Sequence, residues 1–241
     1  MIKIDPEALK SISETIQRGL AHIQKGLEPL KDGILNFALS LERVPESVKV
    51  LAEKGWYLPF NFHPPTINHY ASELRNGNHE FVDEEMVLLI DSEIARIENE
   101  LIEKFPKRKA PIQAAIKAHK NRDYYLSVPV FFSQAEGICQ ELTKNRFFSV
   151  RNGQPLTNQW LNNFESDSIM LLVLEPLKHN GVARKIQEKG NPLGTNRHDV
   201  LHGTSVDYGE DKTNSYKALS LLNYIGETIY MARQQINETE K

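Results

Sequence analysis

Ala218, Leu222, Ile225, Ile229, Ala232 and Ile236 are spaced by 4, 3, 4, 3 and 4 residues. An α-helix, with its 3.6 residues per turn, gathers such positions on one face, and no strand does. The C-terminal region is therefore expected to be a long amphipathic helix pressed on a core, with Asn214 as its N-cap. A chain built on this pattern must supply other helical stripes to cover it.

It does so repeatedly. Met86, Ile90, Ile94, Ile97 and Leu101 form a second stripe behind Asp83, a good cap residue, with Glu84 and Glu85 suited to a first turn. Val128, Phe131, Ala135, Ile138 and Leu142 form a third, and residues 111–120 read as helix. Near the start, Leu9, Ile12, Ile16, Leu20, Ile23 and Leu27 step by three and four behind Asp5 and Pro6. Pro29 is expected to open a helix running to about Arg43, Pro45 a short one ending near Gly55, and a further apolar helix is expected around Ser168–His179. The only expected strand pairing is a short hairpin within Ser149–Asn158, where Asn152-Gly153 makes a turn. No repeat of 20–50 residues and no phosphate-binding glycine loop is present. The expected class is all-α, a helical bundle with an N-terminal helical extension. The proline-bracketed "FPKRKAP" (Phe105–Pro111) divides it into an N-terminal region, 1–109, and a bundle domain, 110–241.

Composition narrows the function classes. The net charge of −3 over 241 residues gives no global attraction to nucleic acid, so any anionic partner needs a local patch. Cys139 is the single cysteine, which excludes an intrachain disulfide and fits a reducing compartment. "MIKIDPEALK" lacks the apolar core of a signal peptide, and the most apolar run, Ile169–Leu177, is too short to span a bilayer. A soluble cytoplasmic protein, without a membrane partner, is expected.

Three places carry residues able to do chemistry or binding. "GWYLPFNFHPP" presents Trp56, Tyr57, Phe60 and Phe62, either as an exposed binding surface or, as large aromatics usually do, as a seal on the helical core. Glu136 lies at the edge of an apolar stripe beside Phe132 and Cys139, where a structural pairing is favoured over a site role. "TNRHDVLHG", Thr195–Gly203, packs Arg197, His198, Asp199 and His202 between helix-start and helix-stop residues, and reads as a helix of about two turns.

Within such a helix, about 100° per residue separates His198 from His202 by about 40° and Arg197 from His202 by about 140°. The two histidines share a face, and arginine must reach round from the first turn. One reading makes His202 a general base or acid and Arg197 a phosphate-binding group that stabilises transition-state charge, helped by the free N–H groups of the helix start. Those parts suit metal-free RNA cleavage by the ribose 2′-hydroxyl. A second reading makes His198 and His202 metal ligands, with Asp199, Asp207 or Glu210 as the oxygen donor, although "HDVLH" lacks the glutamate of the zinc-protease pattern. A third is an ordinary polar turn. With 11 arginines and 8 histidines, chance alone yields about one Arg-to-His spacing of five to seven, so context carries the assignment. That context includes Lys178, Arg184, Lys185, Lys189 and Arg197 against Glu188 and Asp199, a net of +3.

"NRHDVLHG", followed by "DYGEDKTNSYKALSLLNYI" and preceded by "PVFFSQAEGICQEL", resembles the helical HEPN superfamily, and more narrowly its bacterial toxin and abortive-infection (phage-defence) members. Their motif is Arg, a polar residue, a few positions, then His; Arg197, His198 and His202 match it. The resemblance covers roughly residues 110–241 and implies an HEPN-like bundle with metal-independent endoribonuclease activity on RNA, without a cofactor. It further implies a homodimer in which two motifs face each other, with His202 as general base and Arg197 on the scissile phosphate. His198 fills the polar slot, and Asn196, Arg184 and Lys185 become candidate substrate contacts. An antitoxin or other partner protein is a further expectation of that class. The superfamily also includes non-catalytic modules that bind a partner protein or nucleotide, the alternative the same fold allows.

Overall fold

The computed structural model describes residues 7, 9–15, 28–59, 61–164, 168–179 and 196–239. It is mostly helical, with one two-stranded sheet among the described residues. Residues 9–15 are helical, and the helices that follow are α1 (Glu28–Glu53), α2 (Pro64–Arg75), α3 (His79–Lys104), α4 (Lys109–Lys120), α5 (Tyr124–Thr143), α6 (Thr157–Trp160), α7 (Met170–Val173), α8 (Arg197–Leu201), α9 (Lys212–Tyr224) and α10 (Tyr230–Thr239). A π-helical turn, Ile225–Ile229, joins α9 to α10. The first helical stripe falls mostly on residues 16–27, outside those described.

The periodic stripes become the core. Met86, Ile90, Ile94, Ile97 and Leu101 are all buried on α3, and all six apolar positions from Ala218 to Ile236 are buried. Helix α5 sits at the centre, packing on α4, α8, α9 and the π turn. Its sequence explains this: Val128, Phe131, Phe132, Ala135, Ile138 and Cys139 cover more than a narrow stripe, so several partners are needed to bury it. Each fully buried Val, Leu, Ile or Phe contributes about 1.5–3 kcal/mol relative to exposure. The link between α3 and α4 is a 3₁₀ turn, Pro106–Arg108; Phe105 beside it is buried, and Arg108 bonds Glu141 at 2.6 Å and Gln134 at 3.0 Å.

Local signals misled in four places. Pro45 does not open a new helix; α1 runs through it, because Val44, Ser47 and Val48 are buried on both sides and hold the chain in register. Asp83 is not a cap, since α3 begins at His79. Its carboxylate instead accepts a hydrogen bond from Trp56 Nε1 at 2.6 Å and pairs with Lys217 Nζ at 3.1 Å. Asp211, not Asn214, caps α9, its side chain accepting the Thr213 N–H at 2.8 Å. The apolar segment after Ser168 is only one helical turn, α7, followed by a 3₁₀ turn Glu175–Lys178, because Pro176 stops the α-helical ladder.

The hairpin is present as β1 (Val150–Arg151) and β2 (Gln154–Pro155), paired antiparallel with Val150 opposite Pro155. Asn152 and Gly153 have φ of 52° and 75°, the left-handed pair that a two-residue turn demands. The aromatic segment seals the core: Trp56 is fully buried, Tyr57 and Leu58 nearly so, while Phe60 lies outside the described residues. Lys217 lies over the Trp56 ring at 5.2 Å, tying this segment to α9. No described helix is long and apolar enough to cross a membrane.

Candidate active site around Arg197, His198 and His202

Helix α8 is shorter than the two turns expected, with His202 as its C-cap. Asn196 is its N-cap: 2% exposed, it accepts the His198 N–H on Oδ1 at 2.8 Å. That bond occupies one of the first-turn N–H groups expected to hold an anion, and puts Asn196 in a structural position at the site. Val200 is buried and seats the helix on α5. Past the C-cap the chain folds back: Gly203 has φ 71°, and the N–H groups of Thr204 and Ser205 both donate to the Asp199 carbonyl, at 2.9 and 3.1 Å. The His202 N–H donates to the His198 carbonyl at 2.9 Å. His202 is thus held by the end of the helix rather than by a loose loop.

The shared face of the histidines is realised. Their ring centroids are 4.3 Å apart, tilted by 49°, and both residues are exposed. Arg197 points elsewhere. Its guanidinium carbon lies 5.2 Å from the Phe148 ring centre, half-buried, with Nε shielded from solvent and lacking a hydrogen-bond partner. No described carboxylate pairs with it. Phe148 is itself fixed: its N–H donates to Glu136 Oε2 at 3.0 Å, and its ring meets Phe132 and Phe147 edge-on. Glu136 therefore takes the structural role expected, and through Phe148 it supports the floor on which Arg197 rests.

Two of the three acidic residues considered as metal ligands, Asp199 and Asp207, are engaged in turns. Asp199 Oδ1 accepts from Thr204 Oγ1 at 3.1 Å, and Asp207 Oδ1 from Ser205 Oγ at 3.0 Å. Among the described residues no group of three His, Cys, Asp or Glu side chains is arranged to hold a metal ion. Arg184 and Lys185, with Lys189 and Glu188, lie outside the described residues. Lys178 is paired with Glu175 at 2.6 Å, and His179 Nε2 meets the same carboxylate at 2.8 Å. Burial works to raise the Glu175 carboxyl, but hydrogen bonds from His179 and Lys178 outweigh it and hold it below the usual range. Lys178 thus contributes little free positive charge to the expected patch.

Two polar clusters escaped the sequence reading. His119, 3% exposed, has Nδ1 2.7 Å from Ser215 Oγ, which is 2.7 Å from Ser127 Oγ; the imidazole ring meets Tyr216 edge-on at 4.4 Å, and Tyr216 donates to Asp91 at 2.5 Å. Burial pushes the His119 imidazole down to about 4, against the opposing charge of Asp91 and with Lys120 assisting. Ser127 and Ser215 are fully buried, so this serine–histidine contact is closed to substrate and braces α4, α5 and α9. The signal was present, because His119 continues the apolar face Ile112, Ala115, Ile116 of α4. The second cluster centres on Arg96, which bonds Glu93, Glu100 at 2.7 Å and Glu227 at 3.5 Å. Glu227 lies in the π turn, and burial raises its carboxyl above the usual range.

Comparison with protein-family models, with curated proteins and with solved structures finds no match to this chain.

Proposed function

We propose that the protein is a metal-independent endoribonuclease of HEPN type, a toxin or phage-defence effector that cleaves RNA through Arg197 and His202. The observation that carries this reading is the joint state of three cationic or basic side chains on one short helix and its C-cap. An exposed imidazole pair shares this segment with an arginine that has no described carboxylate partner and rests on Phe148. A guanidinium with no carboxylate partner among the described residues is suited to an external anion, and phosphate fits its forked donors.

In the reaction, His202 takes the proton from the ribose 2′-hydroxyl, whose oxygen attacks the adjacent phosphorus. The P–O5′ bond breaks, leaving a 2′,3′-cyclic phosphate, and the 5′-oxygen collects a proton. Arg197 holds the scissile phosphate and offsets the charge that builds on it. His198, 4.3 Å from His202 between ring centres, is the polar companion of the motif. A homodimer supplies a second copy of the motif, and with it a second acid–base group. Asn196 contributes by fixing the helix start, and Arg184 and Lys185 by extending the basic approach to the RNA.

The test is RNA turnover by purified protein in EDTA. His202→Ala is expected to lower the cleavage rate at least a hundredfold, in line with loss of a positioned acid–base group. Arg197→Ala is expected to do the same with little change in unfolding midpoint. Cleavage retained in the His202 variant would sink the assignment.

A further inference from the structure

We infer that His198 and His202 together form a two-imidazole chelate for a late divalent transition-metal ion, Cu²⁺ in preference to Zn²⁺, and that its occupancy silences the site. The silencing rests on the nuclease reading; the chelate does not.

Two imidazoles sharing one ion at bond lengths of about 2.0–2.1 Å and an angle of about 90–110° place their ring centres about 4.5–5.2 Å apart. The observed separation is 4.3 Å, so a small rotation about the side-chain torsions brings the two nitrogens onto one ion. Both rings are exposed, so hydrated ions reach them without opening the fold. Among the described residues neither ring makes a hydrogen bond to another side chain, so ligation breaks no such bond there. The backbone is already ordered by the Asn196 cap, the His202-to-His198 hydrogen bond and the Thr204 and Ser205 donations to Asp199.

The donor set decides the ion. Two neutral nitrogen donors without an added carboxylate suit borderline ions, and the general affinity order places Cu²⁺ above Zn²⁺. Asp199, the nearest acid in sequence, has its Oδ1 engaged by Thr204 Oγ1, and in the proposed chelate water fills the remaining positions. A bound ion takes the nitrogen lone pair that His202 needs to accept a proton. The same side chains thus cannot serve the ion and the RNA at once.

The experiment titrates untagged full-length protein with Cu²⁺ and with Zn²⁺ in competition with a chromophoric chelator. One tight equivalent is expected, taken up more strongly as Cu²⁺, and absent from both His198→Ala and His202→Ala. It should persist in His179→Ala, whose ring is committed to Glu175. Circular dichroism of each variant checks that the fold is kept. An equivalent that survives in both site variants, or that wild-type protein never binds, would overturn the chelate. For silencing, one equivalent of Cu²⁺ should lower RNA cleavage at least tenfold, restored by EDTA. Binding without inhibition would overturn that half. Wild-type protein inactive even in EDTA would overturn the nuclease reading and the silencing with it, while the titration still decides the chelate.

Discussion

Acidification should weaken the fold through one side chain, His119. It is buried between α4, α5 and α9, and its imidazole is pushed down to about 4 from an ordinary value near 6.5. The folded state therefore resists a proton that the unfolded chain accepts. Between those two values the unfolded state binds more protons, so stability is full above about pH 6.5 and falls as pH drops towards 4. A displacement of about 2.5 pH units corresponds to about 3 kcal/mol, an upper figure for this one group. Asp91 opposes the effect and Lys120 adds to it. Other carboxylates also titrate in this range, so the informative quantity is a difference between proteins. His119→Asn keeps a polar atom facing Ser215 but cannot acquire the charge. Urea unfolding midpoints at pH 7.5, 6, 5 and 4.5, about the span of the expected window, should fall more steeply for wild type than for the variant. At pH 7.5 the variant should be about 1–3 kcal/mol less stable, from lost ring contacts with Tyr216 and Phe131. Parallel pH profiles for the two proteins would refute the assignment of acid sensitivity to His119.

Two further substitutions test the packing. Gly226→Ala would drive its new methyl group into the Leu101 side chain, itself 2% exposed, and should cost about 1–3 kcal/mol in chemical denaturation; an unchanged midpoint would show that the π turn does not need this glycine. Trp56→Phe removes the indole N–H that donates to Asp83 at 2.6 Å and should cost about 1–3 kcal/mol; equal midpoints for the variant and wild type would mean that Lys217 alone satisfies that carboxylate.

The helical class was legible because apolar spacing is a direct projection of burial. Every residue of the Met86–Leu101 and Ala218–Ile236 stripes is buried, and the Asn152-Gly153 hairpin follows from the φ values its turn needs. What failed were signals whose meaning depends on partners far along the chain. Asp83 looks like a cap in sequence, yet its use is set by Trp56 and Lys217, 27 and 134 residues away. Pro45 would break an isolated helix, but buried neighbours on either side override the lost hydrogen bond. The π turn at Ile225–Ile229 leaves no mark on the apolar period, because it lies within a run whose positions are all buried.

At the candidate site the same division holds. The shared face of His198 and His202 is a matter of local geometry and was legible. The resting place of Arg197 on Phe148 was not, since it depends on Glu136 fixing a residue twelve positions away.

The central claim is a metal-free attack by the ribose 2′-hydroxyl. The most direct measurement is the chemistry of the RNA ends produced by wild-type protein in EDTA, read by mass spectrometry of a short oligonucleotide. The account predicts 2′,3′-cyclic phosphate on the upstream fragment and 5′-hydroxyl on the downstream one, with both absent for His202→Ala. Ends bearing 5′-phosphate and 3′-hydroxyl, or cleavage that vanishes in EDTA, would contradict it.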